Sequence, residues 1–136
     1  MTRLCEGTYN ITRREWRLIA ALAQHGPMLS STLAGRVHLD RARTSKAVSN
    51  LIRKDLVTRT ARPSDRRKMD IALADSGYRI YESLFPVVVR LNRDLLEVLT
   101  STQLDQLDDC LGRIQTRADE LVRDAVLPKA DRRHRN

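Results

Sequence analysis

At 136 residues the chain has the size of one folded domain, which excludes a catalytic domain set beside a separate regulatory one. Lys and Arg number 25 against 17 Asp and Glu, a net charge of +8, so long-range electrostatics favour an anionic partner such as nucleic acid. Aromatic residues at 4% and only 5 glycines, beside abundant Leu, Ala and Arg, exclude an all-β barrel or sandwich and favour helices. The opening MTRLCEGTYN lacks the apolar core of a signal peptide. The longest apolar runs, LIAALA and LFPVVV, are too short to span a bilayer. A cytoplasmic protein with no membrane contact is expected. Cys5 and Cys110 have no CxxC spacing and read as two free thiols.

The first readable helix opens at Thr12 and Glu15, a T-x-x-E capping box, with Ile11 and Trp16 placed as a hydrophobic staple. Trp16, Ile19, Ala20 and Ala23 follow at helical spacing, and Gly26-Pro27 ends the run. Ser30 is placed to cap a short second helix with Leu33, Ala34 and Val37 on its apolar face. After the turn at His38-Leu39, Asp40 is placed to cap a third helix that turns Ala47, Val48, Leu51 and Ile52 inward and Arg43, Lys46, Asn50 and Arg53 outward. A short helix, a tight turn and a longer helix with a basic outer face form a helix-turn-helix pattern.

The alternating run LVTRTA, the turn-rich RPSDRRK and the run MDIALA then predict a β-hairpin with Arg62, Arg66, Arg67 and Lys68 around its tip. From Asp75 onward the pattern is helical. Tyr81, Leu84, Val88, Leu91, Leu95 and Val98 form one stripe, with Pro86 predicting a kink within it. Leu104, Leu107, Leu111, Ile114, Ala118 and Leu121 form a second, which Ala125 extends. Thr100 and Gln103 make another capping box, so the second stripe is a fresh helix. Two amphipathic helices carry more apolar surface than one small lobe can cover, which favours helix-mediated dimerisation. LPKADRRHRN at the end reads as a basic disordered tail.

The positive charge is central. Residues 36–73 hold eleven basic side chains against four acidic ones, the footprint of a phosphate-binding module flanked by nearly neutral segments. The five glycines never cluster into a phosphate-cradling loop. His25, His38 and His134 lack metal-ligand spacing, and no nucleophile elbow or paired-carboxylate motif appears, so neither an enzyme nor a cofactor or metal site is expected.

ITRREWRLIAALAQHGPML, followed by LAGRVHLDRARTSKAVSNLIRKDLVTRTARPSDRRKMDIALADSG, resembles the DNA-binding lobe of the multiple-antibiotic-resistance regulator (MarR) family of winged-helix transcription factors. LTSTQLDQLDDCLGRI resembles the start of that family's last dimerisation helix. The most specific piece is Asp65-Arg66-Arg67 between two strand runs. The resemblance implies a mainly α fold with a small β-hairpin wing, divided into a winged helix-turn-helix lobe at 11–74, long dimerisation helices at 75–127 and a basic tail at 128–136. It also implies a ligand-responsive repressor that binds a pseudo-palindromic operator in double-stranded DNA as a homodimer.

Carried over by position, Ala42, Arg43, Ser45 and Lys46 fall on base-reading and phosphate-binding places. The outward-facing Asn50 and the basic residues Arg62, Arg66, Arg67 and Lys68 extend that set. Asp65 and Arg67 fall on the wing's organising pair, with Arg66 at its tip. Trp16, Arg17 and Tyr78 are placed to line a pocket for a small aromatic or phenolic effector. The chain departs from the family pattern at three points. Asp55 stands where a helix-ending Gly is usual, Ala74 replaces a Thr cap, and residues 1–10 read as only the stub of an N-terminal dimerisation helix. The alternative from charge alone is a basic helical RNA-binding module, which needs an aromatic stacking platform that the basic segment lacks.

Overall fold

The computed structural model of the chain describes residues 2–62 and 65–124, apart from the side chains of residues 2, 3, 66 and 67. Its elements in order are α1 (Thr2–Tyr9), α2 (Arg13–His25), β1 (Met28–Leu29), α3 (Ser30–Arg36), α4 (Arg41–Arg53), β2 (Val57–Arg62), β3 (Asp65–Leu73), α5 (Asp75–Leu96) and α6 (Ser101–Asp124). The chain divides into two units, residues 1–92 and 93–136. The expected tail at 128–136, and the last residues of the expected 75–127 segment, lie outside the described residues.

In the first unit the capping box forms as its spacing requires. Thr12 N donates to Glu15 Oε2 at 2.7 Å, and Glu15 N donates to Thr12 Oγ1 at 3.1 Å. Ile11 and Trp16 on either side of the box are both buried. The inner face of α2 is wider than the sequence stripe, because Leu18 and Leu22 are buried along with Trp16 and Ile19. Leu33 and Ala34 from α3 and Val37 just after it close over them, together with Ala47, Val48 and Leu51 from α4. Each of these larger aliphatic side chains contributes about 1.5–3 kcal/mol on burial, and together they fix the corner between α3 and α4.

Two local expectations are corrected. Ser30 is the first residue of α3, not its cap. The N-cap is Leu29, in extended conformation and without a side-chain bond, because Met28 and Leu29 form a strand. That strand pairs antiparallel with β3, Met28 opposite Ile71 and Leu29 opposite Asp70, so the expected hairpin is a three-stranded sheet of order β1-β3-β2. Two residues are too short for any alternation to show, and the apolar pair gains its strand character only from the buried Ile71 beside it.

Asp55 adopts φ 56, the left-handed conformation that usually calls for Gly. Its N–H reaches the carbonyl of Ile52 at 2.9 Å, and Leu56 N donates to Leu51 O at 3.0 Å. The chain leaves α4 there and enters β2. α5 docks on this joint. Ala74 N donates to Leu56 O at 3.1 Å, the Ser76 hydroxyl donates to Asp55 O, and Gly77 is buried against the Leu56 carbonyl. With Ala74 in place of a capping residue, Ser76 ties the start of α5 to the preceding joint.

Pro86 lies inside α5, which is assigned as one helix from Asp75 to Leu96. Leu84 is buried, and Tyr81 stacks between Trp16 and Phe85 with ring centroids 6.0 and 4.9 Å away. α1 joins the same core through Cys5 and is tied to α5 by the Tyr9 hydroxyl, 2.6 Å from Ser83 Oγ. Burial pushes the Cys5 thiol up in pKa, which makes it a poor nucleophile. Cys110 is exposed on α6, and neither cysteine is in a disulfide.

In the second unit the Thr100–Gln103 box starts α6, with Thr100 N donating to Gln103 Oε1 at 2.9 Å and Gln103 N to Thr100 Oγ1 at 3.3 Å. None of the residues of α6 is buried. Leu107 is 39% exposed, Leu111 57%, Ile114 64% and Leu121 54%. Among the described residues no helix is long and apolar enough to cross a membrane, and no group of three His, Cys, Asp or Glu side chains is placed to hold a metal ion.

Candidate nucleic-acid interface

The outer face of α4 is set by what holds its inner face. Asp40 caps the helix, its Oδ1 accepting from Arg43 N at 2.7 Å. Thr44 is buried, and its hydroxyl bonds the Asp40 carbonyl at 2.9 Å. With Thr44, Ala47, Val48 and Leu51 inside, helical geometry turns Arg41, Ala42, Arg43, Ser45 and Lys46 into solvent on the first two turns. Arg43 folds back on its own cap, Nε 3.1 Å from Asp40 Oδ2, with both side chains more than half exposed. An exposed pair of this kind contributes at most about 1 kcal/mol, so the guanidinium is free to exchange Asp40 for another acceptor. Asn50, half-buried, accepts from Arg53 Nη2 at 2.9 Å.

The far end of α4 is anchored by a bond that spans most of the lobe. Lys54 Nζ lies 2.9 Å from Glu15 Oε2 and 2.7 Å from the carbonyl of Asn10. The carboxylate of Glu15 is almost wholly buried. Its Oε2 serves both the α2 cap and Lys54, while Oε1 has no hydrogen-bond partner among the described residues. The turn before α4 is held as well, through Arg17, which donates to the carbonyl of Val37 at the end of α3.

In the wing, the register steps from Ala61 opposite Met69 to Arg62 opposite Asp65. Arg66, Arg67 and Lys68 therefore fall between two pairs that are adjacent on β2. This is a bulge, and it throws three basic residues out of the ladder. They belong to β3, where the sequence pattern had placed them around the tip.

Lys68 is exposed, its Nζ 3.4 Å from Asp65 Oδ2, while the side chains of Arg66 and Arg67 lie outside the described residues. Arg62 is committed elsewhere. Its Nε and Nη2 donate to the two carboxylate oxygens of Asp70 at 3.0 and 2.7 Å, a bidentate bridge across β2 and β3. That hydrogen bond holds the Asp70 carboxyl below its ordinary pKa and raises Arg62. The sequence reading placed Arg62 among the groups that meet DNA and missed its partner, because Asp70 sits within an apparent strand run eight residues away.

A depressed carboxylate pKa stabilises the fold above the unfolded value, and that contribution disappears as pH falls through the folded one. Wing order is therefore expected to persist through neutral pH and to loosen only below the ordinary carboxylate range. Asp70→Asn should speed amide exchange in β2 and β3 at neutral pH, leave α2 to α4 unchanged, and remove that acid-side transition. Unaltered exchange in the wing would show that the bridge does not brace it.

Of the residues expected to line an effector pocket, Trp16 and Arg17 share a cleft of about 320 Å³ with Ala20, Ala21, Gln24, His25, Arg36 and Val37. Tyr78 is not among its lining residues and is 41% exposed on α5. The stripe Leu104, Leu107, Leu111, Ile114, Ala118 and Leu121 lies along one face of α6, without a buried member.

A helix-turn-helix corner braced by a preceding helix, and followed by a bulged basic hairpin in a three-stranded sheet, defines the winged-helix class. Comparison with known proteins narrows it. Residues 11–69 match the model of the MarR family. The HTH-type transcriptional regulator FarR of Neisseria gonorrhoeae is 28% identical over 82% of this chain and 77% of its own length. The homoprotocatechuate degradative operon repressor of Escherichia coli is 26% identical over 76% and 70%.

Among solved structures, a MarR/EmrR family transcriptional regulator from Acinetobacter sp. ADP1 superposes with a TM-score of 0.82 at 24% identity, covering 88% of this chain and 84% of that one. PcaV of Streptomyces coelicolor, in complex with its natural ligand, gives a TM-score of 0.71 at 27% identity, covering 79% and 76%. The match to the MarR family model covers the lobe at 11–69, and the relatives and solved structures align over most of the chain.

Proposed function

We propose that the protein is a non-enzymatic transcriptional repressor that binds a pseudo-palindromic operator in duplex DNA as a homodimer and is released by a small aromatic or phenolic effector. The observation that carries this reading is the outer face of α4. Its first two turns present Arg41, Arg43 and Lys46 to solvent, with the small Ala42 and Ser45 between them, on a helix locked at both ends. A helix so exposed and so charged fits the major groove, where Arg and Lys donate to guanine O6 and N7. Relatives named as regulators and as an operon repressor support it.

In this reading Arg43 and Lys46 read bases, Ala42, Ser45 and Asn50 line the groove, and Arg66 and Lys68 on the bulged wing meet the minor groove. Asp65 with Arg67 shapes that bulge, and Arg62 acts through Asp70. The exposed stripe of α6 joins two copies. The effector is assigned to the cleft lined by Trp16 and Arg17, where a guanidinium beside apolar side chains suits an aromatic acid. Tyr78 stands apart from it. PcaV, solved with its natural ligand, supports ligand response by analogy.

The test is competition at matched salt between random duplex DNA, a duplex selected from a random pool, and structured RNA. Preference for one two-fold-symmetric duplex is expected. Equal or stronger binding to RNA would favour the RNA-binding alternative, although Trp16, Tyr81 and Phe85 stack on one another in the core and offer no platform for bases.

Arg43→Ala should weaken binding to the selected duplex by roughly 1–3 kcal/mol and relax the selected consensus at one or two positions. An unchanged consensus would reduce Arg43 to a phosphate contact. Asp65→Ala should also weaken binding, although it removes a negative charge. Tighter binding at every salt concentration would refute its role in shaping the wing.

A further inference from the structure

A second cationic surface lies off the recognition helix. Arg13, Arg14 and Arg17 on α2 line an open cleft of about 440 Å³ with Leu39, which belongs to the turn between α3 and α4. Arg13 and Arg14 are the first two residues of α2, where the helix dipole is positive and cations are unfavourable. Within α2 and the turn before α4, the described acids are engaged elsewhere. Glu15 is the sole acid in α2, and it is buried on Lys54. Asp40, at the end of the turn, is taken by Arg43. Among the described residues neither Arg13 nor Arg14 has an ion-pair or hydrogen-bond partner. Arg17, one turn on, is held in place by the Val37 carbonyl. Two exposed cations placed against the dipole, without a partner among the described residues, break the local rule for a helix start. Such breaks mark functional positions.

Leu39 on the wall of the cleft is followed in sequence by the Asp40 cap and by Arg41 of α4, so the cleft lies next to the start of the proposed recognition helix. We infer that Arg13 and Arg14 clamp the phosphate backbone of duplex DNA beside the groove that α4 enters, with Arg17 as the fixed edge of the clamp. Guanidinium groups suit phosphate because they donate two parallel N–H bonds, and the clamp carries no base information. The inference rests on the DNA-binding reading. It adds sequence-independent contacts outside the recognition helix and the wing.

The experiment measures binding of a random-sequence duplex by the full chain across a salt series, for the parent, for Arg13→Gln/Arg14→Gln and for Arg13→Lys/Arg14→Lys. The glutamine pair should lower the magnitude of the log K against log salt slope by about 2, since each lost phosphate contact removes about 0.9. The lysine pair should keep the parent slope. The melting temperature of the glutamine variant should not fall, because removing two cations from the first turn relieves the clash with the dipole. A glutamine variant with the parent slope would overturn the clamp and leave the DNA reading standing. Protection of the parent but not of the glutamine variant by sodium benzoate, with equal slopes, would make the cleft a small-anion site instead. A parent without salt-dependent duplex binding would overturn the DNA reading itself.

Discussion

Gly77→Ala is expected to destabilise the first unit by about 3 kcal/mol. A Cβ at this position would stand 2.2 Å from the carbonyl oxygen of Leu56 and 3.0 Å from Leu73 Cδ2. The first of these is a backbone atom that cannot rotate away. It is held from two sides, because Leu56 N is bonded to Leu51 O and Leu56 O accepts from Ala74 N. The helix must therefore lift off the α4–β2 joint, and with it go the Ser76 bond and the packing of Leu84. For a unit of this size the loss corresponds to a fall in melting temperature of roughly 10–20 °C, measurable by circular dichroism. The effect is steric rather than conformational, since Gly77 is helical and its φ lies outside the left-handed region. An unchanged melting curve would mean that α5 does not dock on Leu56 in solution. The proposed DNA binding should weaken in parallel, because the joint that receives α5 is also the end of α4.

Leu111→Glu is expected to split the proposed homodimer. Leu111 lies mid-way along α6, 57% exposed in the single chain, with Leu107 and Ile114 one turn to either side. If these residues form the seam between two copies, each dimer would bury two unpaired carboxylates in apolar surface, at a cost of at least about 3 kcal/mol, or roughly 100-fold in dissociation constant. The helix itself should tolerate the change, because Glu is as good a helix former as Leu and the position is exposed in the isolated unit. Sedimentation equilibrium reads the oligomeric state, and far-ultraviolet circular dichroism shows that α6 persists. A folded variant that stays fully dimeric would remove this stripe from the interface. Loss of the dimer should cost most of the preference for a two-fold-symmetric site, while leaving the weaker salt-dependent binding of one lobe.

Local signals determined much of this protein. The capping boxes at Thr12–Glu15 and Thr100–Gln103 and the Asp40 cap each depend on residues within a few positions of one another, and each is present as read. The helix-turn-helix order, the hairpin and the basic outer face of α4 follow from the same local periodicities. The tertiary structure decided whatever depends on residues far apart in sequence. Met28 and Leu29 become a strand only because Ile71 and Asp70 lie beside them. Glu15, legible as half of a capping box, is also the buried anchor of Lys54, 39 residues away.

Arg62 reads as one more cation at a basic tip until the strand pairing brings it to Asp70. Arg66 to Lys68 leave the ladder because of a register step that no two-residue alternation reveals. Gly77 looks like an unfavourable residue in a helix, and its need becomes visible only when the Leu56 carbonyl arrives from another element. Arg13 and Arg14 look like ordinary solvated charges at a helix start. Their isolation appears once folding has assigned Glu15 and Asp40 to other partners. The physical reason is the same in each case. Caps and amphipathic periods are short-range chemistry written along the chain, whereas pairing, burial and charge neutralisation depend on which distant groups the packed core brings into contact.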